Sequence, residues 1–322
     1  MNPGAGSGSR MAWAMFIHGS VGGRCGGCPV LPQGDLRPGG GIDLSAASAV
    51  AGVACVRLQP ARVTRHEMAM INPWVMKMEQ FTCFSPAERQ RLDAIVDSRQ
   101  RTYAAGDDII ADGGHAAVCH VLLSGLACRY KLMPGGDRQI MAFLVPGDLC
   151  DAEIFVLKTM DHAVGALTPT TTAVIPACDM RQMLREDSSI SEALWWGTMT
   201  DLGVLRERII DHGSRDATER IAHLLYELLI RYRIIGGTSG NSFDWPITQT
   251  DLADATGLTP SHVNRVLQRF RDDGVISLRS HLLTVLKPAR LKTIGLFSAG
   301  YLHLDRTVAG DADVCARAGD LL

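Results

Sequence analysis

The chain carries almost no excess of charge: 32 Lys and Arg stand against 34 Asp and Glu in 322 residues, a formal net charge of −2. That excludes a globally basic surface, so any contact with nucleic acid must come from a local patch. Long hydrophobic runs are absent as well. The stretch MAWAMFI at 11–17 is too short to span a bilayer and has no signal-peptide cleavage context, so a cytoplasmic protein with no membrane partner is expected. A second CxxC is missing beside Cys25 and Cys28 (CGGC), which makes that pair a weak zinc or iron–sulfur signal. The other cysteines, at 55, 83, 119, 128, 150, 178 and 315, bring the count to nine, odd and scattered. Without an extracellular signal this argues against a disulfide framework, and Cys119, Cys128, Cys150 and Cys178 read as core residues. No HxH with a nearby Glu occurs. His115 and His120 are five apart and would face opposite sides of one strand, so no metal centre is assigned. One axial haem ligand, His120 or His162, would leave no sequence signature, which keeps a cupin-like metal- or haem-binding barrel or enzyme as the alternative class.

Lysine is absent before Lys77, and 13 of the 33 glycines fall in the first 60 residues. With no sustained periodicity, residues 1–75 read as a disordered extension or a start placed too far upstream, Met68, Met70, Met76 and Met78 being alternative initiators.

What is present centres on Ile247–Ile276, ITQTDLADATGLTPSHVNRVLQRFRDDGVI. Thr248 is a good N-cap with Asp251 three residues on, and Gly257 suits a left-handed helix stop. Thr259 caps a second helix whose first position is Pro260. Val263, Val266, Leu267 and Phe270 form one apolar stripe; Ser261, Asn264, Arg265 and Gln268 lie opposite. A plain helical hairpin would share this spacing. The next segment, VISLRSHLLTVL at 275–286, reads as a β-hairpin with a polar tip at Arg279, Ser280 and His281, and the pair makes a winged helix-turn-helix. In such a motif the second helix enters the major groove, where Arg pairs with guanine and Asn or Gln with adenine. Ser261, His262, Asn264, Arg265 and Gln268 are therefore the base-reading candidates. Thr248, Thr259, Arg269 and Arg279 are the candidates for backbone phosphate. From 247 to 292, seven Lys and Arg face four Asp, a modest basic footprint.

Upstream, Phe84–Ser98 reads as a helix with Ser85 as N-cap and Glu88 at N3. Residues 101–176 read as short strands punctuated by glycines, a small jelly-roll or barrel in which MPGGDRQ at 133–139 is a hairpin turn. Arg129, Lys131 and Arg138 alternate as a solvated strand face would. From Ile190 to His212, Trp195, Leu202 and Ile209 recur every seven residues, interleaved with Thr198 and Leu205, the pattern of a coiled-coil seam. Gly213 breaks that helix, and Asp216–Arg233 forms the next on Ile221, Leu224, Leu225 and Leu228.

From about residue 80 onward the chain resembles the Crp/Fnr transcription regulators. The resemblance implies an α+β fold: an N-terminal jelly-roll-like β-roll of the cyclic-nucleotide-binding type (80–185), a long dimerisation helix (188–213), a C-terminal winged helix-turn-helix (214–295) and a tail (296–322). It implies a homodimer on palindromic double-stranded DNA, RNA polymerase as a partner, and a small-molecule effector. The family's recognition helix usually carries Glu one residue after its start and Arg four further on; here Arg265 is kept, but Ser261 replaces the Glu. The family's cyclic-nucleotide clamp, Gly-Glu-Leu followed by Arg and Ser or Thr, becomes Gly147-Asp148-Leu149 with His162 and Ala163. The bidentate phosphate partner is lost, which argues against cyclic AMP and leaves Asp148 and His162 as the candidate pocket for another effector. Cys25 and Cys28 lack the third neighbour of the family's iron–sulfur cluster, so no cofactor is expected.

Overall fold

A computed structural model describes residues 72–304 apart from 116 and 152–156. The extension up to residue 71, with Cys25, Cys28 and Cys55, lies outside the described residues, as does the tail beyond 304 with Cys315.

The first helix, α1 (Pro73–Met78), begins inside the stretch assigned to the extension, which was expected to run to residue 75. The Asn72 carboxamide oxygen accepts from the Trp74 and Val75 N–H groups, and Trp74, Val75 and Met78 are buried. One turn and a half is too short to show a period, so sequence reasoning missed it. Helix α2 (Pro86–Ser98) has the expected capping box between Ser85 and Glu88.

Seven strands follow: β1 (Gln100–Tyr103), β2 (Asp108–Ile110), β3 (Val118–Ser124), β4 (Ala127–Leu132), β5 (Arg138–Leu144), β6 (Ala163–Ala166) and β7 (Thr170–Pro176). They form two antiparallel sheets, ordered β1-β7-β3 and β2-β6-β4-β5. Side chains from both, among them Tyr103, Leu122, Leu144, Cys150 and Val164, fill the interior of the roll. The first sheet is covered by α1, α2, α3 (Ala177–Glu186) and α4 (Ser188–Ser214) through Trp74, Leu92, Ile175, Met180 and Ile190. The outer face of the second sheet joins a different core. Cys128, Ile140 and Phe143 pack in one cluster with Leu225, Leu228, Phe243, Leu252 and Leu267 of the C-terminal half. Each such side chain, fully buried, contributes about 1.5–3 kcal/mol, so the roll and the C-terminal half are fastened by apolar contact as well as by chain connection.

Helix α4 ends at Ser214, one residue beyond the expected break at Gly213, and α5 (Ala217–Ile234) starts behind a capping box of Asp216 and Glu219. The corner is tied by Arg215, whose guanidinium donates to Asp211 Oδ1 and Glu207 Oε2, both at 2.8 Å. Beyond α5 come β8 (Ser242–Asp244), α6 (Gln249–Thr256), α7 (Pro260–Asp272), β9 (Ile276–Arg279), β10 (Leu282–Val285) and α8 (Pro288–Ile294). Strand β8 pairs with β10, completing a three-stranded sheet in the order β8-β10-β9. Part of the expected tail is folded: a 3-10 turn at Ala299–Leu302 packs on α4, with Leu302, Phe297 and Val204 in one small core.

Cys119, Cys128 and Cys150 are buried as expected, and burial pushes the Cys128 thiol up to about 12. Cys178 is exposed, on the first turn of α3, contrary to its core assignment. Cys83 is disulfide-bonded, which the reading of scattered reduced thiols did not anticipate.

Candidate nucleic-acid interface

The interface is built from α6, α7 and the β9–β10 hairpin. Thr248 and Asp251 cap α6 reciprocally: the Asp251 N–H donates to Thr248 Oγ1 (3.1 Å) and the Thr248 N–H to Asp251 Oδ2 (3.0 Å). Gly257 ends it at φ +64°, where a Cβ would also meet His212 Cε1 at 3.1 Å. Only glycine takes this conformation without strain. Thr259 then caps α7, accepting from the His262 N–H at 3.3 Å. Val263, Val266, Leu267 and Phe270 are buried, while Ser261, Asn264, Arg265, Gln268 and Arg269 are exposed and His262 is half-buried. The stripe read from the sequence is thus the face that α7 buries, and the polar residues face outward as one surface.

That surface is not uniformly available. Gln268 donates to Asp272 Oδ1 (2.8 Å) and accepts from Arg271 (2.6 Å), so its amide is engaged along the helix. Ser261 shares a hydroxyl contact with Thr259 at 3.2 Å. Arg265 and Arg279 have no hydrogen-bonding or ionic partner among the described residues. Arg279 ends β9 at the tip of the wing, where Ser280 (φ +49°) and His281 (φ +59°) both adopt the left-handed region of a tight two-residue turn.

The seam residues lie along one side of α4. Trp195 is 68% exposed and Ile209 72%, with Leu202 and Leu205 also exposed. Thr198 is half-buried, its hydroxyl donating to the Leu194 carbonyl at 3.0 Å.

The two effector-pocket candidates have unlike surroundings. Asp148 is 1% exposed, and its oxygens are taken by the Val145 N–H, by Lys77 Nζ of α1 (both 2.7 Å) and by Arg231 of α5. Burial alone pushes the Asp148 carboxyl up, but the Arg231 and Lys77 charges outweigh it and hold it below its ordinary value. It is an ion-pair node, not an open pocket wall. His162 is buried, with Nδ1 2.7 Å from Asp161 Oδ1 and Nε2 without a partner among the described residues. His120 is also buried, its ring 3.0 Å from Asp151, whereas His115 is exposed.

The solvated-face reading of Arg129, Lys131 and Arg138 holds for Lys131 alone, which pairs with Asp112 on the surface. Arg129 is 6% exposed: it donates to the Leu149 carbonyl (2.7 Å) and to Asp201 of α4 (2.9 Å). Arg138 donates to Asp251 and Asp254 of α6. Strand alternation tells which side a residue faces, but not whether a later element covers that side. Sequence reasoning also missed the buried chain Asp211–Arg208–Glu227–Arg231 between α4 and α5. The i, i+3 spacing of Arg208 and Asp211 and the i, i+4 spacing of Glu227 and Arg231 were its visible signals; the link between the two helices left none.

A β-roll fused through a long helix to a winged helix-turn-helix defines a DNA-binding transcription regulator. Residues 100–187 match the cyclic nucleotide-binding domain family and residues 219–294 the Crp-like helix-turn-helix domain family. The chain belongs to the Crp/Fnr family of transcription regulators. It is 28% identical over 196 residues to the nitrogen fixation regulation protein FixK of Rhizobium meliloti, covering 60% of this chain and 85% of that one. To the transcriptional activator protein FnrL of Cereibacter sphaeroides it is 29% identical over 185 residues, covering 55% and 72%. The solved structure of FixK2 from Bradyrhizobium japonicum shares the fold with a TM-score of 0.56 at 23% identity, covering 62% of this chain and 98% of that one. Among the described residues no helix is long and apolar enough to cross a membrane.

Proposed function

We propose that the chain binds a palindromic duplex as a homodimer, in the cytoplasm, and regulates transcription together with RNA polymerase. The observation that carries this reading is the exposed polar face of α7, where Arg265 stands among Ser261, His262 and Asn264, beside a wing tipped by Arg279, both arginines without a partner among the described residues. Arg265 and Asn264 contact base edges; Thr248, Thr259, Arg269 and Arg279 contact phosphate. Gln268 contributes to base reading only when it leaves Asp272 and Arg271. The homodimer is supported by the exposed run of Trp195, Leu202, Leu205 and Ile209 on α4, a stripe of this size being costly to leave in water. Two such protomers present their recognition helices about one helical turn apart, ~34–36 Å.

In vitro selection from a random duplex library, followed by light scattering of the free protein and of its complex, tests this. An inverted repeat bound by two chains is expected. A single unrepeated site bound by one chain would sink the dimeric reading.

A small-molecule signal at the β-roll is centred on His162, because its buried Nε2 has no partner among the described residues and a ligand acceptor or donor would satisfy it. Asp148, closed by its own ion pairs, drops out of that site. Cyclic AMP remains a poor candidate, since His162 and Ala163 offer no bidentate phosphate partner.

A further inference from the structure

We infer that Arg138, a β-roll residue far from the recognition helix in sequence, is a positioning residue for DNA recognition. It rests on the dimeric palindrome reading above. Arg138 opens β5, and its fork reaches two carboxylates one turn apart on α6: Nε donates to Asp254 Oδ2 at 2.8 Å, and Nη2 donates to Asp251 Oδ1. The neighbouring Gln139 amide donates to the Asp254 carbonyl at 2.7 Å. Three contacts from two adjacent residues fix α6 both along its axis and about it. A planar guanidinium holding two separate acceptors is rigid in a way that one lysine contact is not.

The position of α6 is the position of α7. The two helices share buried Leu252, Ala255, Val263 and Leu267 in one core and are joined by the short turn at Gly257 and Leu258. On the other side, β5 belongs to the roll, and the roll carries α4 with its exposed seam through Ile175, Met180 and Ile190. Arg138 therefore stands on the path that runs from the dimer axis through the roll to the reading helix. Helix α5 is fixed to the same roll independently, by Arg231 on Asp148, so the Arg138 fork adds a directional contact to the helix-turn-helix beside the apolar packing of Ile140 and Phe143 with Leu252 and Leu267. It has an electrostatic consequence too. Asp251 caps the end of α6 where Thr248 meets phosphate, and the guanidinium offsets charge that would otherwise repel the DNA. The pair is half-buried, so salt screens it less than a surface contact.

The test uses the full chain and the duplex it selects from a random library, that duplex with one base pair inserted at its centre, and a random duplex. One inserted base pair moves the second half-site by about 3.4 Å and rotates it by about 34°, so a dimer with rigidly placed reading helices discriminates strongly against it. Arg138→Ala is expected to lose about tenfold on the selected duplex, to change less than twofold on the random one, and to lose most of its discrimination against the insertion. Arg265→Ala, in contrast, should lose affinity while keeping the insertion penalty. The reversed pair Arg138→Asp with Asp254→Arg should recover most of the discrimination, and it separates a lost docking contact from poor folding. Equal loss on all three duplexes reduces Arg138 to a long-range charge and overturns the proposal, as does an Arg138→Ala variant that retains the full insertion penalty. A wild-type chain with no spacing preference at all sinks the dimeric reading and this proposal with it.

Discussion

Arg265 and Arg279 are both exposed and both unpaired among the described residues, yet their places predict different failures. Arg265 lies on the first turns of α7, the part of the helix proposed to face base edges. Arg265→Ala should cost about 1–3 kcal/mol on the selected site and much less on random duplex. Arg279 is at the wing tip. Its removal should weaken every duplex similarly and lower the salt slope by roughly one unit. Titrating both variants against both duplexes at several salt concentrations checks the pair; equal weakening by Arg265→Ala would make it a backbone anchor. A buried residue gives the contrasting case. Asp148→Asn leaves Arg231 buried beside a neutral partner, and breaking a buried pair costs about 3–5 kcal/mol. The sign with pH follows from its lowered value. A carboxyl whose folded pKa lies below the unfolded one, about 3.9, contributes fully above that pH and loses its contribution as pH falls through the folded value. Denaturant unfolding of both proteins should thus show a wide gap at pH 7 that narrows below about pH 4. A gap independent of pH would mean that Asp148 acts through shape alone.

At the scale of elements, α4 has two kinds of face. Val204 is covered by the 3-10 turn after α8 and Ile190 by the roll, while Trp195, Leu202 and Ile209 are exposed. Ile209→Glu places a charge in the proposed seam without touching the covered faces. Sedimentation should show the dimer dissociating at least tenfold more readily, with the melting temperature of the monomer hardly changed. A dimer of unaltered strength would place the seam elsewhere. The capping of α2, α6 and α7, and the buried stripe of α7, were legible in sequence because they depend on residues within one turn of each other. Helices α1 and α3 were not. One has too few residues for a period, and α3 shows only Met180 and Met183 as buried contacts.

At the scale of the whole molecule, Trp74 decides where the folded chain begins. It is 1% exposed, stacked into the core under the first sheet with Leu92 and Ile175. A chain started at Met76 loses it, and removal of a buried Trp costs about 3–5 kcal/mol, so its melting temperature should drop by several degrees. A chain started at Met70 keeps Trp74 and should not show that drop. Calorimetry of the two truncations compares them directly, and equal melting temperatures would make Trp74 dispensable. The ligand question belongs to this scale too. Saturating cyclic AMP at 100 times a dissociation constant would stabilise the fold by about 2.7 kcal/mol; with His162 and Ala163 in the clamp positions no shift is expected. A clear rise with cyclic AMP but not AMP would show a clamp rebuilt from other residues.

By itself the sequence determined the local grammar of this protein: the capped helix pair at Ile247–Ile276, the wing behind it, the glycine-punctuated strands and the seven-residue spacing on α4. Each rests on neighbours a few residues apart, which a linear chain displays openly. Tertiary structure alone decided what those elements do to one another. Arg129 and Arg138 read as solvated residues of a strand, yet one reaches the long helix α4 and the other the helix-turn-helix. Asp148 read as a pocket wall, yet it holds Lys77 and Arg231, 71 residues before it and 83 after. A charge is specific only through the partner that folding brings within bonding distance, and a partner a hundred residues away leaves no mark on the sequence around it.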